Sequence, residues 1–125
     1  MSGAAPHAKP AAGAYARRLI HARREREALL GRDLFGEPAW DMLLDLFAAH
    51  EEGRAMSVTS LCIAANVPSS TALRWIAAME EDGKLIREAD THDRRRINVK
   101  LTPAAAEQMR RLLASWIERD GFHHA

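Results

Sequence analysis

Two short helical patterns divided by Asn66-Val67-Pro68 constrain this chain more than any other feature. Proline drives the residue before it out of helical geometry, so the pattern is interrupted there by a turn. The first half runs from Ser57, whose side-chain oxygen suits a helix cap, through Leu61, Cys62, Ala64 and Ala65. Its small alanines permit close helix approach. The second half runs from Ser69 to about Asp82, with Ala72, Leu73, Ile76 and Met79 expected inward and Gly83 at the usual stop. Two short helices joined by a tight turn are a helix-turn-helix candidate. A hairpin pattern follows at once. Lys84 to Glu88 predicts a short strand, and Ile97 to Leu101 alternates Ile97, Val99 and Leu101 inward with Asn98 and Lys100 outward. Ala89 to Arg96 form a polar loop whose tip is Arg94-Arg95-Arg96.

On either side of this unit the chain predicts helices. Residues 1–13 are mostly Ala, Pro and Gly, which predicts a disordered tail. Residues 14–32 predict a basic helix with a thin apolar stripe of Tyr15, Leu19, Ala22, Leu29 and Leu30, suited to dimerisation or to a nucleic-acid arm. From Ala39 to about His50, Trp40, Leu43, Leu44, Phe47 and Ala48 recur at helical spacing and predict a core helix. Residues 37–102 therefore delimit the central domain. Residues 103–120 predict a last helix, with Met109, Leu112, Leu113, Trp116 and Ile117 on one stripe, and residues 121–125 a frayed tail. The expected fold class is mainly α (α+β), a winged helix-turn-helix with flanking N- and C-terminal helices.

Charge matters here by position rather than by sum. The formal net charge is +1, but residues 14–32 carry six Arg against two Glu, and residues 33–56 carry six acids against one Arg. One cysteine, Cys62, leaves no internal disulfide and reads as a small buried hydrophobe. No apolar run reaches the roughly 18 residues of a membrane span, and the N-terminus lacks a signal-peptide pattern, so the cytoplasm is the expected location. The six histidines show neither HExxH nor paired ligand spacing, and His123-His124 would bind metal only adventitiously. Asp41 with Asp45, and Glu80 with Glu81, have no nucleophile or glycine-rich loop beside them and read as solvated helix faces. No enzyme, metal or cofactor is expected.

A basic hairpin tip placed after a helix-turn-helix has an electrostatic use. Guanidiniums on a protruding loop reach phosphates and enter a narrow minor groove, where the negative potential is enhanced. Asp93 is placed to hold one arginine by a bidentate pair. On the second helix, Ser70, Arg74 and partly Thr71 are left outward when Ala72, Ile76 and Met79 point in. Ser69 and Ser70 also suit capping, and Arg74 suits phosphate as well as guanine O6 and N7. Trp75 falls between the inward and outward faces.

Asp93-x-Arg95 followed by Leu101-Thr102, and preceded by Met79-Glu80-x-x-Gly83-x-Leu85-Ile86-Arg87, resembles the signature of MarR-type winged-helix transcriptional regulators. The resemblance spans about Ser57 to Thr102; Ala105 stands where that family usually has glycine. It implies a sequence-specific regulator of double-stranded DNA, acting as a homodimer whose terminal helices interlock. Arg95 corresponds to the minor-groove arginine of the wing, and Asp93 to the acid that orients it, with Arg94 and Arg96 as phosphate or solvent charges. Ser69, Ser70, Thr71 and Arg74 correspond to the front of the recognition helix. The sequence names no small-molecule effector. The competing expectation is a winged helix used as a protein-interaction module through Trp75 and the basic N-terminal helix.

Overall fold

The computed structural model describes residues 4–30 and 37–120. In chain order the elements are α1 (Ala4–Leu30), α2 (Pro38–Glu52), β1 (Met56–Ser57), α3 (Val58–Ala65), α4 (Ser69–Glu81), β2 (Leu85–Ala89), β3 (Ile97–Leu101) and α5 (Pro103–Asp120). The strands form one antiparallel sheet in the order β1-β3-β2, with Met56 opposite Val99 and Leu85 opposite Leu101. This is a winged helix with a long helix on each side of it in sequence.

Helix α2 is the axis of the core. Pro38 opens it, where a missing N–H costs nothing, and Gly53 closes it in the left-handed conformation at φ 69°, donating its N–H to the carbonyl of His50. Met42, Leu44, Leu46, Phe47, Ala48 and Ala49 are all buried, so the helix is covered on most of its circumference, beyond the single stripe expected. Each large side chain buried in this way contributes ~1.5–3 kcal/mol. Leu61 of α3, Ile76 of α4, Leu85 and Leu101 of the sheet and Leu113 of α5 complete the same core.

The expected disordered tail over 1–13 is corrected from Ala4 onward, because α1 begins there. Ala12 is fully buried, and a Cβ placed on Gly13 would sit 3.3 Å from Cβ of Glu51. The small residues Ala12 and Gly13 are what lets α1 lie close on α2. Residues 1–3 and the expected frayed tail 121–125 lie outside the described residues. The stripe on α1 is also reassigned: Ala12, Tyr15, Ala16 and Ile20 face the core, while Ala22, Leu29 and Leu30 are exposed.

Two local devices fix the central unit. The Ser57 hydroxyl accepts the Ser60 N–H at 3.0 Å and caps α3, while Ser57 also extends β1 beside Asn98. The two-residue strand β1 has no sequence expectation behind it. At the far end, the Thr102 hydroxyl donates to the Gly83 carbonyl at 2.8 Å and accepts the Ala105 N–H at 3.1 Å. One side chain thus caps α5 and ties it to the turn after α4.

Candidate nucleic-acid interface

The wing is a hairpin whose loop is held by Asp90, a residue with no sequence expectation attached to it. Asp90 accepts the N–H groups of His92 and Asp93 on Oδ1, at 2.7 and 3.1 Å, and the Asn98 amide on Oδ2 at 3.0 Å. The Asp90 N–H donates to the Arg96 carbonyl, and the Arg96 N–H to that of Asp93. The His92 N–H above all, followed by the Asn98 amide, holds the Asp90 carboxyl below its ordinary pKa. An aspartate that bonds backbone N–H groups two and three residues on is a turn former, and Asp90-Thr-His-Asp93 carries that signal.

Asp93 accepts both the backbone N–H and Nε of Arg95, at 3.1 and 3.3 Å. The expected bidentate clamp is therefore a single long side-chain contact. Arg95 remains 93% exposed, and its guanidinium edge is open to a ligand. Arg94 is exposed with no ion pair among the described residues, and Arg96 is shared between Asn98 at 3.3 Å and Asp90 at 3.8 Å. Ile97, expected inward, is 40% exposed, because the hairpin extends past the core before its loop begins.

On α4, Ala72, Ile76 and Met79 are buried, Ser69, Ser70 and Arg74 are exposed, and Thr71 is half-buried. The helix has no side-chain cap, so neither serine is used that way and both hydroxyls remain available. Leu73 is corrected from inward to outward. It and Trp75 are each 42% exposed, on opposite flanks with Arg74 between them. Glu80, expected in a solvated pair with Glu81, instead accepts Nε and Nη2 of Arg87 at 2.9 and 2.7 Å, joining α4 to β2. Arg87 and Glu80 both stand within the signature Met79 to Arg87, but their spacing does not mark them as a pair.

Beneath the wing lies a hollow of about 770 Å³, which brings Asp93, Arg95 and Arg96 together with Arg87 and the start of α3. Ser69 and Ser70 of α4 are not part of it; Ser69 borders a separate recess beside Ile63 and Pro68.

The α1 arginines lie in a different setting. Arg17 donates twice to Glu52, at 3.0 Å for each bond, Arg23 pairs with Asp41, and Arg24 is 3.7 Å from Asp45. Asp41 and Asp45, expected as solvated, are thus the docking partners of α1, and Asp45 is 5% exposed. Arg17 draws the Glu52 carboxyl down to about 2, whereas burial raises that of Asp45. A cleft of about 480 Å³ between α1, α2 and α3 is lined by Arg23 and Arg24 against Glu27, Asp41 and Asp45, so its charge is opposite to that of the hollow under the wing. Cys62 is buried, and burial pushes its thiol up, away from reactivity. Among the described residues no group of three His, Cys, Asp or Glu is placed to hold a metal, and no helix is long and apolar enough to cross a membrane.

No family model and no curated protein matches the sequence. Solved structures do match the fold. The S. aureus MepR-DNA complex superposes with a TM-score of 0.59 over 85% of this chain and 86% of that one, at 18% identity. AF1382 from Archaeoglobus fulgidus gives 0.55 over 74% and 93%, at 22% identity. A mutant of Lactococcus lactis ZitR gives 0.51 over 66% and 51%, at 13% identity. The likeness is one of fold, and it is the winged-helix fold that the resemblance to MarR-type regulators implied.

Proposed function

We propose that this protein is a sequence-specific, double-stranded DNA-binding transcriptional regulator that acts as a homodimer in the cytoplasm, with no catalytic role. One observation carries the reading: Arg95 stands 93% exposed at the tip of a hairpin that Asp90 holds in shape. A loop whose backbone is already shaped loses less conformational freedom on binding than a mobile one. In this reading Arg95 enters the minor groove, oriented by Asp93, and Arg94 and Arg96 meet phosphates. Ser69, Ser70, Thr71 and Arg74 address the adjacent major groove. The DNA complex of a MepR chain with the same fold supports the partner class.

The dimer is assigned to α1 and α5. Trp40 and Trp116 pack at 5.7 Å across α2 and α5, with Trp116 and Ile117 only half-covered and Leu112 39% exposed, which leaves an apolar strip for a second copy. Arg17, Arg23 and Arg24 are engaged by α2, which favours assembly over a nucleic-acid arm for α1. The split between Leu73 and Trp75 weighs against the protein-interaction module, which calls for a contiguous apolar face.

Selection from a random duplex pool tests the function. The expected product is a pseudo-palindrome with half-sites about one helical turn, ~34 Å, apart. A pool that shows no enrichment, with no salt-sensitive binding to random duplex, overturns the reading.

A further inference from the structure

If the wing lies in a minor groove and the recognition helix in the next major groove, the phosphodiester ridge dividing those grooves has to run between the wing and the helix-turn-helix unit. The fold presents a hollow there. Its hairpin wall carries Arg87, Arg95 and Arg96, its facing wall carries Thr59 and Ser60 at the start of α3, and its one lining acid is Asp93, with Glu80 behind Arg87 and Asp90 behind Arg96. We propose that this hollow seats the phosphodiester ridge of duplex DNA, with Arg87 and Thr59 as phosphate-contacting residues in addition to the wing-tip arginines. The proposal rests on the DNA-binding reading above.

Arg87 is built for this use. It lies on the same face of β2 as buried Leu85, two residues nearer the tip, where that face leaves the core. Its Nε and Nη2 donate to Glu80 much as those of Arg17 do to Glu52, and what sets Arg87 apart is its place in a hollow that also holds Arg95 and Arg96, where its Nη1 edge can meet a phosphate oxygen. Thr59 is exposed on the opposite wall, where its hydroxyl can donate to a second oxygen. Because Glu80 belongs to α4, a phosphate held by Arg87 also registers the recognition helix against the backbone. Charge selects this hollow over the cleft beside α1, where carboxylates outnumber arginines and would repel the same ligand.

The test uses the full chain, a random-sequence duplex and a duplex recovered by selection. Arg87→Met is expected to weaken both by about tenfold and to make the log-affinity against log-salt slope shallower by about 0.9, one phosphate's worth. Thr59→Val, an exposed isosteric change, is expected to weaken both by about threefold with the slope unchanged. Methylphosphonate scanning of the selected duplex then locates the contact: wild type loses affinity at one ridge phosphate per half-site, and Arg87→Met is indifferent to that replacement. A purely structural Arg87–Glu80 pair would not give that indifference. The seat is refuted if wild type binds both duplexes but the two variants stay within about twofold of it with unchanged slope, or if Arg87→Met keeps the full methylphosphonate loss. Wild type binding neither duplex at low salt takes down the DNA-binding reading itself, and the seat with it.

Discussion

Arginines on α1 and arginines on the wing carry the same charge, yet Arg17 lies in a two-bond pair with Glu52 while Arg95 has only a long approach from Asp93 and stands almost fully in solvent. The difference comes from where the matching acids fall in the chain. Residues 33–56 supply acids to α2, and α1 packs along that helix, so its basic face is answered inside the molecule. The hairpin projects past the sheet, and its local carboxylates shape the loop more than they neutralise it. A run of positive charge in a sequence therefore predicts a ligand only after the rest of the fold has been searched for its partner.

The sharpest way to break this comparison is a buried pair on the structural side. Arg110 donates to Glu51 at 2.6 Å and lies over the Phe47 ring at 5.9 Å, and the Glu51 side chain is 5% exposed. Arg110→Met leaves that buried carboxylate with only His50 Nδ1, at 3.1 Å, beside it and should cost about 3 kcal/mol in chemical denaturation. DNA affinity of the folded fraction should not change.

Next in size is Arg95→Ala. It should lower DNA affinity about tenfold, uniformly across sequences, with a shallower salt slope and no change in melting temperature. Asp90→Ala should act in the same direction through loss of loop shape, by about fivefold, with stability nearly unchanged because the site is at the tip.

Those outcomes turn on features of unequal legibility. The helix-turn-helix, the hairpin and the wing-tip arginines were readable because each is coded locally, by Pro68, Gly83, strand alternation and a charge run. The inward assignments of Leu73 and Ile97 failed because periodicity gives the face of an element and not where the neighbouring core ends. The tail over 1–13 failed for a related reason: Ala12 and Gly13 look unable to pack until α2 is present at close range. Asp41 and Asp45 could not be paired with Arg23 and Arg24 from spacing alone, since those contacts are set by the crossing of two helices. Arg87 and Glu80 were likewise invisible as a pair, although each stood within the quoted motif.

Smaller still is the surface-pair contribution on α1. Arg17→Ala should cost about 1 kcal/mol, because the pair is bidentate but partly exposed. Its pH signature is distinct. Glu52 is held down to about 2, below its ordinary 4.5, so the pair's stability is complete above the ordinary value and is lost as pH falls toward 2. Asp45, raised by burial, has the opposite sign: its contribution is largest when protonated and declines as pH rises through its raised value. Glu52→Gln should therefore flatten the acid limb of a stability-against-pH curve that Asp45→Asn leaves in place.

The most direct measurement of the difference between the two arginine sets is the salt dependence of binding to one random-sequence duplex, for wild type, Arg95→Ala and Arg17→Ala side by side. The account predicts a shallower slope and weaker binding for Arg95→Ala, and a slope indistinguishable from wild type for Arg17→Ala. A shallower slope for Arg17→Ala, with Arg95→Ala unchanged, would contradict it.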